Sequence, residues 1–397
     1  MLNFKFFLTE AVSDEGKLKH LEHAEDHVIN QGDKGFAHAY HNLNDVHDHL
    51  KGKKTSTSVT TKYDGSPSIV WGHHPTTGKF FVGTKSVFNR EPKINHTPED
   101  IERNHGHAPG LAQKLNHALK HLPKVTPKGK VYQGDFMHSG VKSKTNPHGD
   151  VDSKGGKYHF KPNTITYSTH HGSEEGKKIA SSKLGVVPHT EYKGSSLYYM
   201  KAHYNADVSH LKHHSDVHVI SPHYDSKQSS YSHEDQKSFE GHMHAATKSF
   251  NSAHKDFHKA IEPHSTHLKT YINSTVRDGS KPSITGYKSH LTNHFNKKAD
   301  KVKTDAAKAR HMNDLQNHHK HVDSNSAHFK STLDMHKHLA AAKNVLVNTM
   351  SKNSKFDHHI GGIKTKPEGF VSVRNNRPTK LVDRGDFSRA NFLSRER

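Results

Sequence analysis

Apolar residues at helical spacing predict helices in several parts of the chain. The first predicted helix covers residues 13–50, where leucine, alanine and valine recur every three or four positions. A second covers residues 98–122, with Pro98 near its start and a break between Gly106 and Gly110. A short third helix is predicted over residues 179–184.

Short apolar runs bounded by turn residues predict strands. Ile69–Trp71 and Phe80–Val82, separated by a Gly- and Pro-containing turn, predict a β-hairpin that follows a Thr- and Ser-rich strand at 55–61. Residues 139–157 are predicted as a loop, and those from Pro188 to about Tyr204 as helix or loop. Further strands are predicted at 131–137, 158–167, 186–187, 369–373 and 380–382, with a turn at Asn375–Asn376 between the last two.

The pattern changes between about residues 206 and 353, where apolar residues become sparse and His, Lys, Ser and Asp dominate. This stretch predicts a helical insert with a thin apolar stripe, and disorder over part of it is the alternative. The predicted architecture is α+β: an N-terminal helical segment at 1–50, a domain formed from 51–205 and 356–397, and the insert at 206–355. Terminal elements are predicted at Met1–Val12 and Asp386–Phe392.

The overall charge favours an anionic partner. Of the 397 residues, 30% are apolar and 25% are charged, and the formal net charge is +20. This balance predicts attraction to nucleic acid, nucleotides or another polyanion. With no cysteine, disulfides and thiolate sites are excluded. No apolar run approaches the ~20 residues of a membrane span, so we expect no membrane association and a cytoplasmic location.

Histidine is unusually frequent, at 44 residues. Metal binding is one interpretation, since His20, His23 and His27 would share one helical face. Such spacings arise by chance in a chain with this many histidines, and none matches a defined metal motif. We therefore favour the interpretation that histidine fills exposed helix positions.

Lys62-Tyr63-Asp64-Gly65 is the stretch with the clearest chemical use. A lysine at the end of a strand can act as a nucleophile when its surroundings favour the neutral amine, and a turn holds it in place. The glycine allows the backbone to approach a bound group closely. A surface turn is the alternative interpretation, because this tetrapeptide is common by itself.

Four further charged residues are predicted at strand ends: Lys85, Asp135, Glu368 and Lys380. A nucleophilic lysine with two carboxylates and two more cations suits attack on a nucleoside triphosphate. A carboxylate can hold a divalent cation, which with the accessory lysines offsets phosphate charge as pyrophosphate leaves. The alternatives are a cross-strand ion pair for Glu368 with Lys380, and turn chemistry for Asp135.

Because these residues lie in short motifs that follow one another in a fixed order, the chain resembles the covalent nucleotidyltransferase superfamily of ATP-dependent DNA ligases, RNA ligases and mRNA capping enzymes. It is most similar to a ligase-like group encoded by tailed phages. The stretches that carry the resemblance are Lys62–Gly65, Gly83–Ser86, Tyr132–Asp135, His159–Phe160, Pro367–Val371 and Thr379–Val382.

The resemblance implies a role for each matching residue. Lys62 would take up AMP as a phosphoramidate, with Asp64, Gly65, Lys85 and Lys380 around the nucleotide. Asp135 would contact the ribose, Phe160 would stack on the base, and Glu368 would hold Mg²⁺ or Mn²⁺. The implied fold is an antiparallel nucleotidyltransferase sheet with helices, interrupted by the insert.

Three departures qualify the resemblance. Asp135 stands where the family has glutamate, Val382 stands where a second basic residue is usual, and few residues follow Val382, so no C-terminal OB-fold is expected. The implied activity is that of an ATP-dependent polynucleotide ligase that acts on a 5′-phosphorylated end, with RNA favoured over DNA. If the protein is phage-encoded, it would act in the host cytoplasm. The alternatives are a non-catalytic nucleotide- or nucleic-acid-binding protein that retains the fold, and a virion-associated structural protein.

Overall fold

The structure is a computed structural model that describes residues 21–226, 230–253 and 257–385. The predicted elements at Met1–Val12 and Asp386–Phe392 lie outside the described residues. Contacts divide the described chain into two units. The sheet unit comprises Leu21, Ser58–Asp225 and Asn353–Pro378, and the helical unit comprises Glu22–Thr57, Ser226–Lys352 and residues 379–385.

The chain is α+β, as predicted, and its strands pair mostly in antiparallel fashion. The strands are β1 Thr57–Lys62, β2 Ser68–His73, β3 Phe80–Gly83, β4 Val131–His138, β5 Asp152–Lys154, β6 Lys157–Phe160, β7 Thr166–His170, β8 Leu184–Lys193, β9 Lys201–Tyr204, β10 Val217–Val219, β11 Asp357–Ile360, β12 Ile363–Thr365, β13 Gly369–Arg374 and β14 Arg377–Leu381. The helices are α1 His27–Leu50, α2 Pro98–His105, α3 Pro109–His121, α4 Glu174–Ser181, α5 His233–Ser252, α6 Phe257–Ile261, α7 Ser265–Asp278, α8 Ile284–Ala299, α9 Asp305–Ser324 and α10 Ser326–Ser351.

The strands form three sheets. The largest has the order β10-β8-β4-β2-β3, with β9 also paired to β8, and only its β10–β8 pair is parallel. The second has the order β12-β11-β7-β6-β5, and the third has the order β1-β13-β14. The third sheet positions the end of β1. Strands of the largest sheet lie beside that end of β1.

Both faces of the largest sheet are buried. On one face, Ile69 and Trp71 of β2 pack with Leu115 of α3. On the other face, Val70 packs with Phe81 and with other apolar residues. A strand that is buried on both faces has a continuous apolar run, which explains why β2 and the hairpin with β3 could be predicted correctly.

The predicted helix over 98–122 is confirmed, together with its break. It forms α2 and α3, and the chain between them turns at Gly106. Thr97 begins α2 with a reciprocal cap: its hydroxyl accepts from the Asp100 N–H, and the Asp100 carboxylate accepts from the Thr97 N–H. Pro98 occupies the first turn, where its missing N–H costs nothing.

Several predicted strands and connections need correction. The single strand predicted over 158–167 is the β6–β7 hairpin, whose connection contains Pro162. Five strands lie where none was predicted: β5 in the 139–157 loop, β9 just before Asn205, β10 within the predicted helical insert, and β11 and β12 between that insert and the strand predicted at 369–373. The short helix predicted over 179–184 is α4, which ends at Ser181, while Leu184 already belongs to β8.

The helical unit contains α1 and α5–α10, and the predicted thin apolar stripe is present in α5 but not in α10, where twelve of 26 residues are buried. In the twenty-residue helix α5 only Phe239, Met243 and Ala246 are buried. The sequence predicts an insert at 206–355. In the structure, contacts group Ser226–Lys352 with Glu22–Thr57 and with residues 379–385, so the helical unit is formed from three segments of the chain. None of the helices within the described ranges is long and apolar enough to cross a membrane.

Candidate active site

Lys62 is the last residue of β1, and its side chain forms an ion pair with Glu368. Glu368 directly precedes β13, which lies next to β1 in the third sheet, so strand pairing joins two residues that are 306 positions apart. The Lys62 side chain is 27% exposed and that of Glu368 is 15% exposed. Because both are partly shielded from water, the pair orients the lysine more firmly than a fully exposed pair would.

Lys62 also lines a cavity of about 210 Å³. Asp135, His189 and Asn205 contribute polar groups to its wall, and Val371 contributes apolar surface. Ligand pockets are typically apolar concavities of about 300–1,000 Å³ with a few polar groups that fix orientation. The volume is below that range, so the cavity is too small for a length of polymer.

Gly65 brings the turn after Lys62 against β4. A Cβ at Gly65 would lie 2.4 Å from the Cβ of Asp135, a distance that no side chain tolerates. The Ser66 N–H donates to the Phe136 carbonyl at 3.0 Å, and the Phe136 N–H donates to the Pro67 carbonyl at 3.0 Å. Gly65 is therefore required for close approach, and it places Asp135 beside the Lys62 turn.

Asp64 fixes a neighbouring loop. Its carboxylate accepts from the Asn163 side-chain amide at 2.7 Å and from the Thr164 and Ile165 N–H groups at 2.7 and 2.9 Å. The Asp64 N–H donates to the Tyr167 hydroxyl at 2.6 Å. Burial raises the pKa of Tyr167 well above its usual value, so the phenol stays protonated. These contacts hold the β6–β7 connection against the Lys62 turn.

His189 is a cavity residue that the sequence analysis missed. The β4–β8 register shifts between Gln133 and Gly134, and His189 is the extra residue of the bulge in β8. A Cβ at Gly134 would lie 2.3 Å from the Val187 carbonyl oxygen, so the glycine permits this irregular pairing. Bulges redirect side chains, and His189 Nε2 lies 3.8 Å from Asp135 Oδ1. One histidine among 44 carries no sequence signal, which is why the residue was overlooked.

Of the predicted site residues, Lys62 and Asp135 line the described cavity, whereas Lys85 and Phe160 do not. Lys85 is exposed and begins the 3₁₀ turn Lys85–Phe88 after β3. Phe160 is buried, and its ring stacks on Tyr167 at 5.4 Å and meets Phe356 edge-on. Their nucleotide-binding roles stay predictions.

Lys380 belongs to the helical unit and not to the unit that contains Lys62. Its backbone N–H donates to the Glu22 carbonyl at 2.8 Å. A role for its side chain at phosphate also stays a prediction.

The helical unit holds a second cluster of charged groups, formed by Glu25, Asp26, His336, Lys343 and Arg384. Ligand atoms of the first three lie within 4.8 Å of one another. However, Lys343 Nζ lies 2.6 Å from Glu25 and Arg384 Nη1 lies 2.9 Å from Asp26. Burial would raise the pKa of Asp26, but the hydrogen bond from His336 and the charge of Arg384 outweigh it and hold that pKa well below the usual value. The two cations already neutralise the carboxylates, so we interpret the cluster as a structural ion-pair network.

Comparison with known proteins identifies the family of the chain. A model described as a family of unknown function (DUF6267) matches residues 18–396, so the chain belongs to that family. No curated protein and no solved structure matches the chain. The function must therefore be inferred from the residues of the site.

Proposed function

We propose that this member of the DUF6267 family is an ATP-dependent, polynucleotide ligase-like nucleotidyltransferase that forms a covalent lysyl-AMP intermediate. The observation that carries the proposal is the ion pair between Lys62 and Glu368 beside a cavity that Asp135 also lines. Three stretches that are distant in the sequence, each resembling a nucleotidyltransferase motif, contribute to one site. Chance occurrences of short motifs would have no reason to meet in this way.

The proposed chemistry begins with the Lys62 side chain as a neutral amine. Its Nζ attacks the α-phosphorus of ATP, forming a P–N bond, while the bond from the α-phosphorus to the bridging oxygen breaks and pyrophosphate leaves with that electron pair. Nζ gives its proton to solvent or to a nearby base. His189 is a candidate for that base, since its imidazole lies on the same cavity wall.

Glu368 is the residue that would hold Mg²⁺ or Mn²⁺, because hard divalent cations prefer oxygen ligands, and Asp135 would contact the ribose. Bound metal would offset phosphate charge. A cation at Glu368 would also compete with the Lys62 ammonium for the carboxylate.

The proposed acceptor is a 5′-phosphorylated nucleic-acid end, with RNA favoured over DNA. The adenylyl group would move from Lys62 to the terminal phosphate, whose oxygen forms a new P–O–P bond as the P–N bond breaks. Attack by a 3′-hydroxyl would then join the ends and release AMP. The net charge of +20 supports a polyanionic partner.

The test is incubation of the full chain with α-labelled ATP and Mg²⁺, followed by denaturing electrophoresis. We expect label on the wild-type protein and none on Lys62→Arg, which keeps the charge but removes the usable amine. Lys54→Arg, an exposed lysine ahead of β1, is the matched control and should be labelled like the wild type. No label on the wild type, or equal label on Lys62→Arg, would refute the proposal. Salt-sensitive nucleic-acid binding without label would instead support the non-catalytic alternative.

A further inference from the structure

We propose that the loop between β8 and β9 binds single-stranded nucleic acid, with Tyr198 and Tyr199 stacking on bases and nearby lysines contacting phosphates. Residues 194–200 form this tyrosine loop. The inference rests on the proposed function for the class of partner, and it gives that polynucleotide a binding surface on the sheet unit. Because binding needs no ATP, the surface and the proposed chemistry can be tested separately.

Both tyrosines of the loop are exposed to water. The exposed fraction is 46% for Tyr198 and 70% for Tyr199. Among the residues that the structure describes, four large apolar or aromatic side chains are exposed, and these neighbours are two of them. Their rings meet edge to face at 5.1 Å, so each ring limits the rotation of the other. Exposed aromatic rings are the groups on which single-stranded bases stack, largely without regard to sequence.

The tyrosine loop is anchored on both sides of the pair. Leu197 and Met200 are each 4% exposed and pack in the apolar cluster on one face of the largest sheet. The Tyr199 N–H donates to the Ser196 carbonyl at 3.1 Å and closes a turn. The tyrosines are thus held outward by a packed loop, and little order has to be gained when a ligand binds.

The end of the largest sheet that carries the tyrosine loop is basic. Strand pairing brings residues 73–80, 127–131 and 191–203 together at this end. Glu191 is the one acidic residue in these three segments. Their lysines are Lys79, Lys128, Lys130, Lys193 and Lys201. This excess of cations attracts the phosphates of a polynucleotide.

Two of these lysines face each other at the base of the loop. Lys193 ends β8 and pairs directly with Lys201, which begins β9. Like charges at paired positions destabilise a β-ladder, so a bound anion would stabilise this one. Glu191 lies 2.6 Å from Lys130 and 3.6 Å from Lys193. One carboxylate does not neutralise three ammonium groups, and net positive charge remains beside the tyrosines.

The tyrosine loop is also close to the candidate active site. Strand β9 leads from Lys201 to Tyr204, and Tyr204 lines the Lys62 cavity. A strand of four residues spans about 10 Å, so a polynucleotide on the loop lies within a few nucleotides of the cavity. The loop would therefore hold the length of polymer for which the cavity itself is too small.

Fluorescence anisotropy with the full chain and a fluorescein-labelled single-stranded oligouridylate, without ATP, tests the surface. Tyr198→Ala/Tyr199→Ala should raise Kd at least 10-fold, because base stacking is lost. Tyr198→Phe/Tyr199→Phe keeps both rings and should bind like the wild type. The control Ile363→Ala, which removes an exposed apolar side chain of β12, should leave Kd unchanged. An unlabelled duplex should compete at least 10-fold less well, since its bases stack on one another.

The salt dependence of Kd separates phosphate contacts from stacking. Lys193→Gln/Lys201→Gln should raise Kd and reduce the slope of log Kd against log salt concentration by about 1. The tyrosine changes should leave that slope as it is. Lys154→Gln/Lys177→Gln removes two exposed lysines of β5 and α4 and is the control, with wild-type Kd and slope expected.

The substituted side chains are exposed and none lines the Lys62 cavity, so every variant should keep the wild-type Tm and the wild-type rate of self-labelling. The proposal is overturned if the wild type does not bind the oligouridylate, if Tyr198→Ala/Tyr199→Ala binds it equally well, or if the duplex competes equally. Binding to vesicles of phosphatidylserine and phosphatidylcholine in place of the oligouridylate would assign the loop to a membrane and also overturn it. Self-labelling without oligouridylate binding leaves the proposed chemistry standing, whereas tyrosine-dependent binding without self-labelling refutes that chemistry alone.

Discussion

Lys62 and Glu368 form an ion pair although 306 positions separate them in the chain. The pairing of β1 with β13 brings them together, and Gly65 places Asp135 beside the same turn. The candidate site is thus a property of the sheet unit, assembled from strands on both sides of the helical stretch in sequence.

Glu368→Gln should reduce self-labelling with ATP at least 10-fold. The amide keeps the size of the side chain but removes the charge that orients Lys62 and that would hold the metal. The measurement is the labelling rate across a Mg²⁺ titration, whose midpoint should move to higher concentration. Glu174→Gln, in an exposed pair with Lys178 on α4, is the control. An unchanged rate and midpoint in Glu368→Gln would contradict the assignment.

Gly65→Ala should destabilise the fold by about 1–3 kcal/mol, since a methyl group in an already packed site forces neighbouring atoms to shift. Labelling should fall as well, because the displaced atoms include Asp135. Urea unfolding and the labelling rate measure the two effects. At Gly110 a Cβ would meet no atom within 4 Å, so Gly110→Ala is the control. Wild-type stability in Gly65→Ala would show that the turn is not packed as described.

The sheet unit should lose stability in acid through His358. Burial lowers the pKa of His358 to about 4. The unfolded chain, with a pKa near 6.5, therefore binds the proton first, and the stability present above pH 6.5 is lost as the pH falls toward 4. At pH 5 the expected loss from this residue is about 2 kcal/mol.

His358→Phe keeps a ring against Tyr167 but does not titrate. Urea unfolding at pH 7.5 and pH 5 should show a smaller loss for the variant than for the wild type, by about 2 kcal/mol. The difference between the two pH values, and not the absolute stability, is the test. Equal losses in both proteins would mean that His358 is not held neutral by the fold.

Lys343→Met should destabilise the helical unit by about 3–5 kcal/mol, because it leaves the buried Glu25 carboxylate without its closest cation. Glu25→Gln/Lys343→Met should cost less than the sum of the single changes, as urea unfolding would show. The control is Lys352→Met, which breaks an exposed pair with Asp235 and should cost less than about 1 kcal/mol. Additive costs for Glu25 and Lys343 would contradict a coupled network.

The elements that could be predicted from sequence are those with local signals. The β2–β3 hairpin has apolar runs and turn residues, and Asn375–Asn376 adopts the positive φ values that a tight hairpin turn requires. By contrast, β9 has the sequence Lys-Ala-His-Tyr, a polar–apolar alternation of only four residues without a β-branched side chain. It is a strand because it pairs with β8, and that information is not local.

The candidate site shows the same limit. Lys62 and Glu368 could be singled out because each lies at the edge of a recognisable strand. The carboxylate of Asp64 accepts hydrogen bonds from the loop around Thr164, a contact with no signal in the sequence, and its role at the nucleotide stays a prediction. His189 reaches the cavity only through a bulge, and Arg384 joins Asp26 only in the folded chain. A register irregularity or a long-range ion pair produces no regular spacing of residues in the sequence. A sequence pattern therefore cannot reveal it.

The most direct test of the account locates the adduct itself. After incubation with ATP and Mg²⁺, the protein would be denatured, digested and analysed by mass spectrometry under conditions that preserve a P–N bond. The account predicts an adenylyl group on the peptide that contains Lys62, and on no other lysine. An adduct on a different lysine, or an unmodified Lys62 peptide after complete digestion, would contradict it.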